Sequence, residues 1–199
     1  MMKMKWNECV LLIGFLVPIS AVGQSTFDPV PTAVAKSFEI KLDVAGLEAK
    51  PLFRADEVTV PDDYHVTGVV VKREARAYLE AGMSQPASHV AYDRVGGAEI
   101  AVTFCDQTGC TRVFVGKEKA IRSIRVRGWK DHNMQLLVDG VQHPHDSREI
   151  KLQELNFRTI TWGEWKRLHP RTKIYLGDRA DQFVDRDLSN EEEGTQGWW

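Results

Sequence analysis

Short segments that alternate apolar and polar residues constrain the fold of this chain more than any other sequence feature. The clearest spans residues 99–104, where Ile100, Val102 and Phe104 fall on one face. A period of two puts successive side chains on opposite faces of an extended chain, so this segment predicts a half-buried strand. The same pattern, or a run of β-branched residues, predicts strands at 38–44, 65–71, 112–115, 124–127, 134–138 and 173–176. Residues 74–79 are compatible with a strand or a short helix.

Turn-forming residues between these segments predict hairpins. Gly96-Gly97 can reverse the chain so that residues 87–93 pair antiparallel with residues 99–105. In a plain hairpin about that turn, His89 falls opposite Phe104, although a one-residue slip would move its side chain to the other face. Further turns are predicted at residues 106–109, 128–133 and 139–140.

One helix is indicated near the C-terminus. Thr161 and Glu164 have the spacing of a capping box, in which each side chain can bond a free amide at the start of a helix. The helix is expected to stop near His169-Pro170. These elements predict an α+β, β-rich fold of mostly antiparallel strands and hairpins, with a short capped C-terminal helix.

The N-terminus has the pattern of a secretory signal peptide. Lys3 and Lys5 precede an apolar run at residues 9–20, and small residues lead up to Gln24, where cleavage is expected. A membrane anchor is the alternative, but the run is shorter than the roughly 20 residues that a spanning helix needs. We therefore expect export to the periplasm or the extracellular space, with no stable membrane anchor after removal of the signal.

Beyond this signal peptide at residues 1–23, the chain is long enough for one domain with a sizeable core. Residues 24–60 read as a lead-in with a first strand, 61–177 as the globular domain, and 178–199 as an acidic, flexible tail. The formal net charge of −2 gives no general attraction to nucleic acid. No glycine-rich dinucleotide or phosphate loop and no nucleophile elbow is present, so no cofactor is predicted. The partners are left unknown.

Two cysteines, Cys105 and Cys110, remain after the expected cleavage, since Cys9 leaves with the signal. They flank a four-residue turn between two predicted strands. Outside the cytoplasm such a pair can be a structural disulfide, a redox-active pair, or two unbonded thiols. Closing so short a loop adds about 2 kcal/mol or less of stability, and a strained bridge is easily reduced.

Three segments together resemble an uncharacterised, mostly bacterial family, the domain of unknown function 3179 family. They are VVVKREARAY at residues 69–78, the segment from His89 to Phe114, and TWGEWKRLHPRTKI at residues 161–174. The resemblance spans roughly residues 61–176. Val90 departs from the glutamate that is usual in the family, and Asp106-Gln107 replace Pro-Leu. The family implies a fold but no established activity.

The resemblance also implies where chemistry would lie. Some relatives carry cysteine or selenocysteine at the position of Thr108, which suggests redox chemistry. By that resemblance Cys105 is the candidate nucleophile and His89 its activating group. Thr108 and Gly109 are candidates to hydrogen-bond the thiolate, and Asp93 matches a second polar motif position.

Two functional hypotheses stay open. The first is thiol redox activity of an exported protein, with Cys105 as nucleophile and Cys110 as a possible resolving thiol. The second is a non-enzymatic envelope or binding protein, in which a Cys105-Cys110 disulfide is only structural. Whether the chain is an enzyme is therefore left open.

Other candidate sites are less well supported. His143, His145, Asp146 and His132 could contribute metal ligands, but their spacing matches no known site and an exposed loop is expected, so no metal is predicted. The basic segment 117–130 reads as a solvated strand face, or as an anion or polysaccharide patch with Trp129 as its stacking surface.

Overall fold

The computed structural model describes residues 37–184. The predicted signal peptide, most of the lead-in and the end of the predicted tail lie outside these residues. The strands are β1 (Glu39–Ala45), β2 (Leu47–Glu48), β3 (Leu52–Arg54), β4 (His65–Val71), β5 (Glu74–Leu79), β6 (Val90–Val95), β7 (Ala98–Cys105), β8 (Cys110–Gly116), β9 (Arg125–Lys130), β10 (Asn133–Val138), β11 (Val141–Pro144), β12 (Gln153–Glu154), β13 (Phe157–Thr161) and β14 (Lys173–Tyr175). The helices are α1 (Glu118–Ile121), α2 (Trp162–Leu168) and α3 (Ala180–Phe183).

Within the described residues, the strands form three sheets. Sheet 1 has the order β1-β9-β10-β11, sheet 2 the order β12-β8-β7-β6-β2, and sheet 3 the order β13-β4-β5-β14-β3. Pairing is antiparallel except between β2 and β6 and between β14 and β5. The predicted α+β, β-rich class with antiparallel hairpins and a short C-terminal helix is therefore confirmed.

Three buried clusters show how the layers stack. Residues of sheets 1 and 2 share one cluster, which includes Phe114 and Leu136. Residues of sheets 2 and 3 share a second, which includes Ile100 and Tyr78. Sheet 3 and helix α2 share the third, which includes Trp162. Sheet 2 is thus covered on both faces, so β7 is not half-buried as predicted but buried throughout its second half.

Two glycines allow close approach of neighbouring elements. A Cβ on Gly68 in β4 would lie 2.3 Å from the Trp165 ring, so glycine lets this ring pack directly on sheet 3. A Cβ on Gly128 in β9 would lie 1.8 Å from the Ile40 carbonyl oxygen, and Gly128 has a φ of +110°. Only glycine combines that backbone conformation with that contact.

The predicted start of helix α2 is confirmed. Thr161 is the N-cap, and its hydroxyl accepts a hydrogen bond of 3.4 Å from the Glu164 amide. The hydroxyl also donates to the Glu164 carboxylate at 3.2 Å. The helix ends at Leu168, and both of its tryptophans are buried.

Several local expectations need correction. Residues 74–79 are strand β5, not helix. The second hairpin turns at Asp131-His132, both with positive φ, so β9 runs on through Trp129 where a long connection was predicted. Residues 180–183 of the predicted tail form helix α3, whose Phe183 is buried and accepts a backbone hydrogen bond of 2.8 Å from Thr59.

Candidate functional site

The two cysteines are the last paired residues of strands β7 and β8 before the hairpin turn. Cys105 and Cys110 are direct partners across it, with a four-residue turn between them. The Phe104 amide donates to the His89 carbonyl at 3.0 Å and so faces β6. Backbone groups alternate along a strand, so those of Cys105 face Cys110 and the two residues form a hydrogen-bonded pair, whose Cα atoms typically lie about 5.5 Å apart.

The cysteine side chains differ in exposure. Cys105 is fully buried, Cys110 is exposed, and neither forms a disulfide within the described part of the chain. The Cys110 sulfur lies 3.8 Å from the Thr108 carbonyl oxygen. The Thr108 hydroxyl accepts from the Cys110 amide at 3.4 Å, and Gly109 has a φ of +65°. Thr108 and Gly109 thus shape the turn around Cys110, the exposed thiol.

His89 lies where the hairpin register predicts. Its carbonyl pairs with Phe104, and its side chain is only 1% exposed. The imidazole packs edge-on against Trp129 with 5.3 Å between ring centroids, and Nε2 is 3.7 Å from the Asp106 Oδ1 atom. Trp129 belongs to the same buried cluster as Cys105. The His89 ring therefore borders the space between sheets 1 and 2 into which Cys105 packs.

A second imidazole, His145, lies in the same region. Its Nε2 is 2.9 Å from the Thr103 hydroxyl, which itself donates to the Arg112 carbonyl at 3.2 Å. Because that hydroxyl has a single hydrogen, His145 must donate through Nε2, which leaves Nδ1 as an acceptor. The expectation that His145 lies on an exposed loop is wrong, because its side chain is fully buried.

A chain of contacts links these residues across sheets 1 and 2. Thr103 lies two residues before Cys105 on the same face of β7 and contacts His145. The His145 amide donates to the Met134 carbonyl at 2.7 Å, and Met134 is the strand partner of Trp129. Trp129 contacts the His89 ring, and the His89 carbonyl accepts a hydrogen bond from Phe104, the residue before Cys105. We call this group, His89, Thr103, Cys105, Trp129 and His145, the intersheet site.

Both imidazoles of the intersheet site favour the neutral form. Burial lowers the pKa of His145 to about 4, with the charges of Arg112 and His89 acting in the same direction. Burial also lowers the pKa of His89, against the opposing effect of the Asp106 carboxylate. Each ring is therefore a neutral donor and acceptor at neutral pH.

Three nitrogen atoms of the intersheet site lack a hydrogen-bond partner among the described residues. They are His89 Nδ1, His145 Nδ1 and Trp129 Nε1, and all are buried. A buried polar atom without a partner costs about 1–3 kcal/mol, and a bound water, a bound ion or a catalytic role can account for such an atom. Across residues 37–184, no group of three or more His, Cys, Asp or Glu side chains is arranged to hold a metal ion.

Asp93, a predicted binding residue, lies apart from the cysteines. It projects towards sheet 3, where the Tyr78 hydroxyl donates to it at 2.7 Å and Arg76 Nε lies 2.9 Å away. Glu74 contacts Arg76 at 2.6 Å and accepts from the Gly96 amide at 2.8 Å. Asp93 thus ties the β6–β7 turn to sheet 3 and has no contact with the thiols among these bonds.

Two arginines of the basic segment are paired with a carboxylate of the neighbouring strand. Arg125 and Arg127 both contact the Asp43 carboxylate, at 2.6 Å and 2.8 Å. That carboxylate belongs to β1, the strand next to β9. Trp129 is only 6% exposed, so it is a wall of the intersheet site and not an external stacking surface.

Sequence reasoning found two members of the intersheet site and missed three. The sequence predicts Thr103 only as an alternating strand residue, Trp129 only as an external stacking surface, and His145 only as a possible metal ligand on an exposed loop. Trp129 lies in sheet 1 and His145 directly follows its strand β11, and no local spacing links that sheet to the cysteine turn. Helical periodicity, hairpin turns and motif spacing all report on neighbours along the chain, so none of them could have found this group.

Comparison with known proteins adds a family. A family model described as "Protein of unknown function (DUF3179)" matches residues 49–187. No curated protein and no solved structure gives a significant match. None of the helices in residues 37–184 has the length and apolar character needed to cross a membrane.

Proposed function

Since the chain belongs to the DUF3179 family of proteins of unknown function, we propose a function from its own site: reversible oxidation of the Cys105 and Cys110 thiols in an exported protein. The observation that carries this proposal is the direct pairing of the two free cysteines, with the buried His89 imidazole 3.7 Å from Asp106, the residue that follows Cys105. Export rests on the signal-like pattern of residues 1–23.

The cycle needs two thiols and one base. A low-molecular-weight disulfide or a hydroperoxide takes two electrons and the two thiol protons, which gives two small thiols or water and an alcohol, while a Cys105-Cys110 bond forms. Cys105 is the central thiol because it packs in the same buried cluster as Trp129, which contacts His89, and the neutral His89 imidazole can accept its proton. Cys110 is exposed, so it resolves the reaction and is the sulfur that an external dithiol attacks to restore the reduced form.

The backbone supports a bridge that forms and breaks. A hydrogen-bonded pair has a Cα separation within the range for disulfides, but its side chains are farther apart than those of a non-hydrogen-bonded pair. Closing the bond at Cys105 and Cys110 would draw the strands together and store strain. Strained bridges are more easily reduced than structural ones.

Peptide mapping tests the proposal. The reduced protein is exposed to a small excess of oxidised glutathione or of hydrogen peroxide, quenched by alkylation and digested. We expect an intramolecular Cys105-Cys110 link that millimolar dithiothreitol reverses, and its loss in Cys105→Ser and in Cys110→Ser. Thiols that stay reduced with both oxidants, or cross-links only between chains, would overturn it.

The structural-disulfide alternative gives a different outcome in the same samples. A bridge that only stabilises the fold would resist millimolar dithiothreitol, and its forced reduction would lower the melting temperature by several degrees. We expect instead that oxidised and reduced proteins melt within a few degrees of each other, because the strain of a bridge between hydrogen-bonded strand partners offsets the little stability that so short a loop adds.

A further inference from the structure

We propose that the oxidant of the intersheet site is a small hydroperoxide, bound by the unpartnered nitrogen atoms of that site. This inference rests on the proposed thiol function and names its substrate class. It starts from two observations, the complete burial of the Cys105 thiol and the three buried nitrogen atoms without partners.

Burial limits the size of what can reach Cys105. The thiol packs between sheets 1 and 2 with residues such as Val90 and Phe114, whereas a disulfide of another protein would have to approach an exposed sulfur. Of the two cysteines, only Cys110 offers that exposure. Hydrogen peroxide has two heavy atoms and is close to water in size, so small fluctuations of the packing can admit it. The buried thiol therefore favours a small oxidant over a protein disulfide.

The unpartnered atoms match the hydrogen-bonding groups of a peroxide. Trp129 Nε1 is a donor only, and the tautomer derived for His145 makes its Nδ1 an acceptor. A hydroperoxide has oxygen atoms that accept and a hydroxyl that donates, so it can satisfy both. These groups are fixed by packing before the peroxide arrives, which lowers the cost of reorganisation during the reaction.

The reaction balances with groups present in the site. The Cys105 sulfur attacks the terminal peroxide oxygen, an S–O bond forms, the O–O bond breaks, and the sulfur is oxidised by two electrons. His89 first accepts the thiol proton and then returns it to the departing oxygen, giving water or an alcohol. The Cys110 sulfur then attacks Cys105, an S–S bond forms, and the sulfenic oxygen leaves as water. An external dithiol reduces the bridge.

The oxidised intermediate provides the first test. The full chain carrying Cys110→Ser is treated with hydrogen peroxide in the presence of dimedone, which labels sulfenic acids. We expect a dimedone adduct on Cys105, and faster oxidation of the wild-type thiols by hydrogen peroxide than by oxidised glutathione at equal concentration. A bridge that forms only with glutathione would refute the hydroperoxide but keep the thiol function. A failure with both oxidants would refute both.

A pair of matched tryptophan variants tests the role of the buried N–H groups. Trp129→Phe removes the indole donor of the intersheet site and keeps an aromatic ring. Trp162→Phe removes a buried indole N–H that also lacks a partner among the described residues, but on the far side of sheet 3. We expect the peroxide rate constant to fall at least fivefold in Trp129→Phe and to stay within twofold in Trp162→Phe, while oxidation by glutathione changes little in either. Equal peroxide rates in the two variants would overturn the inference.

Discussion

Protonation of His145 should destabilise the protein as the pH falls. The folded-state pKa of this residue is about 4, well below the ordinary value of 6.5, because the ring is buried between sheets 1 and 2. At a pH between these two pKa values, His145 binds a proton in the unfolded chain but not in the folded chain. The stability that the neutral ring supports is therefore complete above about pH 6.5 and is lost as the pH falls towards 4.

The size of this loss follows from the shift. Each unit of pKa difference corresponds to about 1.4 kcal/mol, so a shift from 6.5 to about 4 contributes about 3 kcal/mol by pH 4. About 2 kcal/mol of this appears already by about pH 5, where unfolding remains measurable. His89 adds a loss of the same sign, because burial lowers its pKa as well.

The variant His145→Gln isolates the contribution of this one ring. Glutamine does not titrate, and its side-chain amide can still donate to Thr103. Urea unfolding of both proteins at about pH 7.5 and about pH 5 gives the change in unfolding free energy, and the losses from other groups cancel in the difference. We expect the wild type to lose about 2 kcal/mol more than the variant. Equal losses in the two proteins would refute the assignment of His145 as a buried neutral imidazole.

Three further predictions concern the packing of the fold. Gly128→Ala should destabilise the chain by about 3 kcal/mol or more in urea unfolding, because its Cβ would meet a carbonyl oxygen. Gly140→Ala is the control: Gly140 also has a positive φ, but a Cβ there would meet open space, so this variant should cost about 1–2 kcal/mol. Thr161→Ala should cost about 1 kcal/mol through loss of the helix cap, and Thr161→Ser should restore most of it. Asp93→Ala should cost about 1–3 kcal/mol, because it leaves the buried Arg76 with Glu74 as its remaining carboxylate partner and removes the acceptor of the Tyr78 hydroxyl. A cost below about 1 kcal/mol would contradict the role given to the Asp93–Arg76 pair.

The strands and turns near the cysteines were predictable because their signals are local. Alternation over residues 99–104 and the Gly96-Gly97 turn together fixed the β6–β7 register, and His89 pairs with Phe104 as expected. The cap of helix α2 was predictable for the same reason, because the Thr161 hydroxyl bonds the amide of Glu164, only three residues further along the chain.

The remaining features depend on contacts between distant parts of the chain. A run such as Ile100, Ala101, Val102 and Thr103 reads as half-buried until a second sheet covers its other face. The positive φ values at Asp131 and His132 allow a two-residue turn where neither residue is glycine, so the strand was predicted to stop short of Trp129.

The burial of His145 also depends on contacts with a distant part of the chain. Its neighbours in sequence are polar and turn-forming, which favours exposure, yet Thr103 and Arg112 of sheet 2 hold it in the interior. Asp93 gives the opposite case, because its place in a motif suggested a binding role while its ion pair and hydrogen bond are directed to sheet 3.

The reduction potential of the cysteine pair tests the central claim most directly. Equilibration of the full chain in a series of dithiothreitol buffers, followed by alkylation and mass spectrometry, gives the fraction of bridged Cys105 and Cys110 at each potential. We predict a single reversible transition above about −300 mV, the range of labile and catalytic disulfides. A bridge that stays closed below that value, or no bridge at any potential, would contradict the account.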